Sequence, residues 1–421
     1  MRTLPARTRS YYYGWNIVAV CVLAQLVTLG IALNCFSLFL PIWSKEMGAP
    51  VSEILLAVTI FTFLGPGLGP FVGWAADRVS SRILIGSGLF VCAIAYLAGA
   101  FVKSPIQLIA LYALLVAPAV GLATTIPAQS VVCRWFERKR GLAMGLNAFG
   151  IILAGVVFPP LVVNVLLPHL GWRGTWLASA AVNGIVVLPL ALLTLYDRPS
   201  ADDPLSHVAS AHSESTGHAV SFMTILTRPN FWIMVFVCIA ALCPYFVAAT
   251  NIAPIAQSHG LDLAAASILL SLLAASDLGG KLLFGMLSDR LGNRIPMVLV
   301  ALLAALGAFL LAIAHSRSML ILAIVPLGLS GGIWTVLPSS AAAEFGAASF
   351  GRAFGLLTAS APFAMLTVPV VAKLKEQSGS YGAGLMALTV FALLGAGVAA
   401  LLRQQSTSPA SEPQLGTVPL A

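Results

Sequence analysis

Asp277 and Lys281 are the two side chains in this sequence best placed to do chemistry. They sit four residues apart inside the apolar run SLLAASDLGGKLLFGMLSDRLGNR, residues 271–294. Four residues is about one helical turn, so the pair shares a helix face and the carboxylate can meet the ammonium. The run ends in a polar turn, Gly285-Met-Leu-Ser-Asp289-Arg290-Leu-Gly-Asn-Arg294. With that turn at a membrane surface, Lys281 stands about 12 Å and Asp277 about 18 Å along the axis from Asp289, at ~1.5 Å per residue. A hydrocarbon core is about 30 Å thick, so the pair lies near its middle, where ionisable groups are costly and mark function. The chemistry open to them is proton and anion handling. Ionised, Asp277 neutralises Lys281; protonated, it frees Lys281 to attract an anion.

The elements that must hold this pair are membrane spans. The chain is 59% hydrophobic and only 9% charged. Soluble domains carry about 25% charged residues, which excludes a water-soluble fold. Twelve apolar runs are long enough to span a bilayer, at about 15–41, 52–75, 83–101, 105–130, 140–163, 173–195, 229–257, 264–287, 294–315, 318–343, 351–372 and 382–402. The expected fold is an all-α membrane protein of twelve transmembrane helices.

The net charge of +8 is scattered among short loops and does not point to nucleic acid. Fifteen of the 22 Lys and Arg residues fall on the side of both termini, six on the other, and Lys281 lies within a span. The positive-inside rule therefore places both termini in the cytoplasm of a multi-pass cell-membrane protein. Tyr11-Tyr12-Tyr13-Gly14-Trp15 reads as an interfacial anchor opening the first span. That span is too long for a signal-peptide core and stays in the chain. The six cysteines lie in or beside apolar runs without metal spacing and read as small buried residues.

Glycine, aspartate and both arginines of Gly73-Trp-Ala-Ala-Asp77-Arg78-Val-Ser-Ser-Arg82 recur in Gly285 to Arg294 at a constant offset of 212. Gly141-Leu-Ala-Met-Gly145-Leu recurs as Gly351-Arg-Ala-Phe-Gly355-Leu at an offset of 210. The chain thus reads as two copies of a six-helix unit, the internal repeat of many secondary transporters. The expected domains are a bundle over 1–196, a cytoplasmic linker over 197–228, a second bundle over 229–403 and a disordered cytoplasmic tail over 404–421. The linker's His207, His212 and His218 have no regular metal spacing, so no metal site is expected.

The repeated Gly-x-x-x-Asp-Arg-x-x-x-Arg loop resembles the signature of the major facilitator superfamily, and the helix count and repeat fit that family over the whole chain. Narrower features resemble its monocarboxylate transporter branch and the related bacterial oxalate–formate antiporter group. These are Tyr13-Gly14-Trp15, the Arg134-to-Gly145 segment entering the fifth span, and Gly171-Trp172-Arg173-x-Thr175-Trp176 entering the sixth. Asp277-x-x-x-Lys281 is similar to the Asp-x-x-x-Arg of monocarboxylate transporters. The resemblance implies proton-coupled movement of a small carboxylate by alternating access. Two departures stand out. Lysine replaces the forked guanidinium with a point charge. Where animal members carry a lysine in the first helix, this chain has Asn34 and Cys35. One deep cation favours a monoanion over a dianion.

The repeat separates shared scaffold from private function. Asp77, Arg78 and Arg82 are mirrored by Asp289, Arg290 and Arg294, and read as charge clusters that hold helix ends and release during conformational change. Glu137 and Arg138-Lys139-Arg140 read as orienting the neighbouring loop. Asp277 maps to Gly65 and Lys281 to Gly69, so the pair occurs once. Apolar residues there would avoid the desolvation cost of two ions, which favours function over scaffold. The reading assigns proton coupling to Asp277 and substrate binding to Lys281, with Asn34, Asn251, Tyr245 and Trp334 as secondary contacts. Asn147, Gln129, Thr124 and Thr335 are equally open to helix–helix hydrogen bonding. No Ser-His-Asp set, phosphate loop or ATPase motif is present, so a transporter driven by an ion gradient is expected rather than an enzyme, without cofactor or obligatory protein partner. The alternatives are an exporter or antiporter of another organic anion or amphipathic compound, or a transport-like sensor.

Overall fold

The computed structural model describes residues 12–136, 139–197, 220–258 and 263–402. Glu137, Arg138, the linker histidines, Tyr11 and the 404–421 tail lie outside them. Among the described residues the chain is helical throughout. Only helices and closed barrels satisfy every backbone polar group in lipid, and this composition takes the first route.

Nine continuous helices are long and apolar enough to cross a membrane, and one bent pair makes a tenth. Two of the nine, Arg140–Thr194 and Arg317–Lys375, run 55 and 59 residues. Each is two spans, because Gly171 (φ 64°) and Gly346 (φ 69°) break them with a backbone conformation that suits glycine. The result is the expected twelve: α1 Gly14–Met47, α2 Val51–Gly67 with Gly69–Arg78, α3 Ser81–Gly99, α4 Pro105–Trp135, α5 140–170, α6 172–194, α7 Pro229–Ser258, α8 Leu263–Leu291, α9 Arg294–Ala312, α10 317–345, α11 347–378 and α12 Gly382–Ala399. A short helix, Phe222–Leu226, precedes α7.

Proline shapes several of these spans. Pro66 and Pro70 straddle the 45° bend of α2 at Leu68. Pro118, Pro168 and Pro189 each follow a π-helical segment in α4, α5 and α6. The amide before each proline reaches back five residues, as Ala117 N–H does to Tyr112 O. The wider turn makes room where the proline ring cannot donate.

Another π-helical segment, Gly30–Asn34, lies in α1. Tyr96 of α3 braces the turn before it, its hydroxyl donating to Val27 O at 2.8 Å and Thr28 O at 2.9 Å. Both residues are buried. Tyr96→Phe leaves those carbonyls one donor short, so thermal unfolding in detergent should show a loss of about 1–3 kcal/mol.

The opening aromatics are packed inward. Tyr12 donates to Trp135 O, and Tyr13 to Thr194 O at 3.0 Å. Tyr13 also stands against Trp135 and Tyr196, and Trp15 against Phe136. They tie the start of α1 to the ends of α4 and α6, while all three stay half-buried.

Helices α1–α6 and α7–α12 meet along two matched crossings. Gly69 and Gly73 of α2 face Gly355 and Gly351 of α11, and Gly141 and Gly145 of α5 face Gly285 and Lys281 of α8. A Cβ on Gly69 would stand 2.6 Å from Gly355 O, and one on Gly285 2.6 Å from Gly141 O. Small residues four apart let backbones approach this closely. Both crossings lie toward the ends of α2 and α8 and the starts of α5 and α11.

Candidate functional site

Asp277 and Lys281 meet as their spacing requires. Lys281 Nζ donates to Asp277 Oδ2 at 2.9 Å. The two residues are 5% and 7% exposed, so the pair is buried. Its place in the fold matters as much as the bond. Lys281 occupies the α8 position whose first-half counterpart is Gly69, so it stands on the seam between the halves. Its own carbonyl oxygen is 2.7 Å from where a Cβ on Gly145 of α5 would be.

Helix α10 forms another wall. A Cβ on Gly331 would collide with Asp277 Oδ1, and one on Gly328 would stand 3.1 Å from the Asp277 amide nitrogen. Asp277 Oδ1 has no hydrogen-bond partner among the described residues. Thr335, one turn beyond Gly331, is fully buried with its hydroxyl unpartnered, and its methyl lies 3.5 Å from the position of a Gly145 Cβ. Tyr245 of α7 is close enough for the Asp277 charge to act on its hydroxyl. Trp334 is half-buried beside Thr335, its amide bonded to Gly331 O at 3.1 Å. Gly328 and Gly331 of α10 thus adjoin Asp277, and Gly145 of α5 adjoins both the Lys281 backbone and Thr335.

Other candidates are committed elsewhere. Asn34 turns its amide onto Leu29 O at 3.0 Å inside the α1 π-turn, toward Gly155 of α5. Asn251 donates to Val247 O at 3.0 Å and accepts from Tyr381 at 3.3 Å. Neither contacts the Asp277–Lys281 pair among the described residues. Thr124 bonds Val120 O, and Gln129 bonds Met144 O at 3.2 Å. Asn147 and Gln25 join α5 to α1, with bonds of 2.8 and 3.1 Å. Asn147 Nδ2 and Gln25 Oε1 have no hydrogen-bond partner among the described residues.

The duplicated loops act across the molecule. Asp77 Oδ1 accepts from Gly351 N–H at 2.7 Å, and Oδ2 from Arg352 N–H at 3.0 Å. Asp289 repeats this on α5, accepting from Gly141 N–H at 2.7 Å and Leu142 N–H at 3.0 Å. Each carboxylate holds the early amides of a helix in the other half, where the helix dipole favours negative charge. The arginines do less. Arg78 lies 4.5 Å over the Trp74 ring, and Arg82, Arg290 and Arg294 form no ion pair among the described residues.

Arg352 is the partner of Asp77 that the sequence reading missed. Its Nε donates to Asp77 Oδ2 at 2.9 Å, and its Nη1 to Val220 O at 2.8 Å. One signal was present: within Gly141-Leu-Ala and Gly351-Arg-Ala, arginine stands opposite leucine. The two latches are therefore unequal. Asp77→Asn strands a guanidinium whose side chain is 6% exposed, at a cost of about 3–5 kcal/mol. Asp289→Asn weakens two charged hydrogen bonds, at about 1–3 kcal/mol. Thermal melts in detergent should rank the first variant as the less stable. Behind the α2 latch, Arg134 bonds Ala76 O and pairs with Asp197 at 3.7 Å.

The family model described as Major Facilitator Superfamily matches residues 22–275 and 242–419. Monocarboxylate transporter 13 of Bos taurus is 24% identical over 413 residues, 96% of this chain and 92% of that protein. The oxalate:formate antiporter of Oxalobacter formigenes is 25% identical over 350 residues, 82% of this chain and 81% of its own. The solved structure of the E. coli fucose:proton symporter is 13% identical, with a TM-score of 0.71, covering 94% of this chain and 100% of that one, a likeness of fold.

Proposed function

This chain belongs to the Major Facilitator Superfamily, and from that premise we propose that it carries a small monocarboxylate together with a proton by alternating access. The observation behind this reading is the buried Asp277–Lys281 pair on the seam of α5 and α8. With Asp277 ionised the empty pair is neutral. A proton on Asp277 releases Lys281, which then holds the substrate carboxylate. Proton and anion together again leave the site neutral. Empty and fully loaded sites can pass apolar walls, while a half-loaded site carries net charge and is held back. Tyr245, Thr335 and Trp334 are assigned to the substrate as polar or aromatic residues of α7 and α10, Thr335 being buried with its hydroxyl unpartnered among the described residues. Asn34 and Asn251 are assigned only a lining role, because their amides already serve nearby backbone.

The bundles 1–196 and 229–403 are taken as the moving bodies, joined by the 197–228 linker. Both termini are assigned to the cytoplasm of the cell membrane from the Lys and Arg distribution. On that assignment the structure is closed toward the cytoplasm, with Asp77 and Asp289 as latches. Arg78, Arg82, Arg290 and Arg294 contribute the positive charge that orients the chain.

Exchange of two organic anions is the second reading, favoured by the similarity to the oxalate:formate antiporter. Reconstituted vesicles distinguish the two. Uptake of radiolabelled lactate, pyruvate, formate and oxalate is measured with an inward proton gradient, and again at equal pH with internal anion. Symport predicts accumulation that follows the gradient without internal anion. Uptake that needs internal anion and ignores the gradient would select exchange and remove the proton from the mechanism.

A further inference from the structure

Helix α10 breaks at the place where Asp277 touches it. Gly331 N–H bonds Gly328 O at 2.9 Å, Gly332 N–H bonds Leu329 O at 3.0 Å, and Thr335 N–H bonds Gly332 O at 2.9 Å. These are three-residue turns inside a span that is otherwise α-helical, and such a mid-helix stretch marks a hinge. The carbonyl of Leu327, which an unbroken helix would offer to Gly331, takes the Ser330 hydroxyl at 2.6 Å instead. Glycines bring α8 directly onto this break. A Cβ on Gly332 would meet Phe284 at 2.5 Å and Gly280 O at 2.9 Å, and one on Gly328 would meet Leu273 O at 2.6 Å.

Asp277 Oδ2 is taken by Lys281, while Oδ1 points at the break and has no donor. The gap there is small and defined. The point where a Gly331 Cβ would stand is within contact of Asp277 Oδ1 and 3.1 Å from Gly328 O. Asp277 Oδ1 thus lies against the Cα–H of Gly331, near Gly328 O, which already accepts from Gly331 N–H. Oδ1 is the buried oxygen without a donor among the described residues, and a proton on it that can be donated to a neighbouring carbonyl removes the cost of leaving it so.

We propose that the Gly328–Gly332 break of α10 reads the protonation of Asp277: a proton arriving on Oδ1 is donated to Gly328 O and resets the hinge. The inference rests on the reading of Asp277 as the proton-coupling carboxylate. The proton comes from solution, the Lys281–Asp277 ion pair is released, and Gly328 O now accepts from two donors. A carbonyl shared in this way holds Gly331 N–H less tightly, so the hinge turn shifts as the proton binds. The titratable groups near Asp277 among the described residues are Lys281 on its own helix and Tyr245 on α7, and α10 meets it at Gly328 and Gly331. Gly331 is then a positioning residue, since any side chain at 331 would drive Oδ1 out of the gap.

Infrared difference spectroscopy of the whole chain in lipid tests this without any ligand. Protein is labelled with carbon-13 at glycine carbonyls and titrated from neutral to acid pH. The expected result is a carboxyl C=O band that the Asp277→Asn variant lacks, with a glycine amide band that shifts at the same midpoint. In the Gly331→Ala variant the carboxyl band should persist while the coupled glycine shift is lost. A carboxyl band with no accompanying glycine shift in the wild-type chain would overturn the inference and leave Asp277 as the proton site. Identical spectra for wild type and Asp277→Asn would overturn the proton-coupling reading itself. The wild-type titration decides both points even where Gly331→Ala fails to fold.

Discussion

In vesicles carrying a pH gradient, the Asp277→Asn variant should no longer accumulate lactate above its external level, yet it should still exchange internal for external lactate at equal pH. Exchange needs only the loaded carrier to reorient. With asparagine at position 277 the lysine and bound anion still sum to zero, so that step survives. The empty carrier now holds an uncompensated Lys281, 5% exposed, and its return is blocked. Lys281→Met should behave differently. Losing the anion's charged partner costs about 1.5–3 kcal/mol, or roughly 10- to 150-fold in affinity. It also leaves the Asp277 carboxylate without its 2.9 Å partner, at a cost of about 3–5 kcal/mol in stability. Replacing both residues, Asp277→Leu with Lys281→Met, should restore the thermal stability of the wild type or exceed it by about 1–4 kcal/mol, because two ions leave an apolar site. That double variant should not transport. Gradient-driven accumulation by it would remove the pair from the mechanism and leave it a structural ion pair.

The second large effect is expected at the crossing of α2 and α11. A Cβ on Gly73 runs into Gly351 O, and the atoms nearest to it are all α11 backbone. Gly73→Leu cannot be relieved by turning a flexible neighbour aside, so the helices must part. Overpacking of this kind costs about 1–3 kcal/mol, roughly a 5- to 150-fold shift in the ratio of closed to open conformers. Spin labels at Arg82→Cys in the first half and Arg290→Cys in the second would report the separation. The six native cysteines are all buried, which keeps background labelling low. The distance distribution should lengthen in Gly73→Leu and stay put in Gly67→Leu, where a side chain meets nothing within 4 Å. Equal distributions in the two variants would mean that the crossing does not hold that face closed.

These two sites differ in how much of them could be read from the chain. The Asp277–Lys281 bond is local. Its geometry follows from four-residue spacing on one helix, and any fold that keeps residues 271–291 helical brings the two together. The Asp77 latch is not local. Its carboxylate is 274 residues from the amide it binds, and the repeat shows only that Asp77 and Asp289 are equivalent, not what either one touches. Arg352 could be noticed as a difference between two similar segments, but its partner could not. Arg78 and Arg290 have the more prominent sequence signature, yet both side chains are exposed. Asn251 gives the opposite lesson. A polar residue in an apolar span suggests a cavity, but its amide is taken by Val247 O and its oxygen by Tyr381.

The sequence by itself determined the twelve spans, the duplication and the meeting of Asp277 with Lys281. Each of these depends on hydrophobicity, repetition or helical periodicity, which are properties of neighbours along the chain. Tertiary structure alone decided that Lys281 stands on the seam between the halves, that Asp277 Oδ1 lies against the broken turn of α10, and that Asp77 and Asp289 bind helix starts in opposite halves. Those facts depend on how closely two backbones approach. Glycines Gly73, Gly141, Gly285, Gly331 and Gly351 permit the approach, but a glycine carries no side chain to show which helix it will meet.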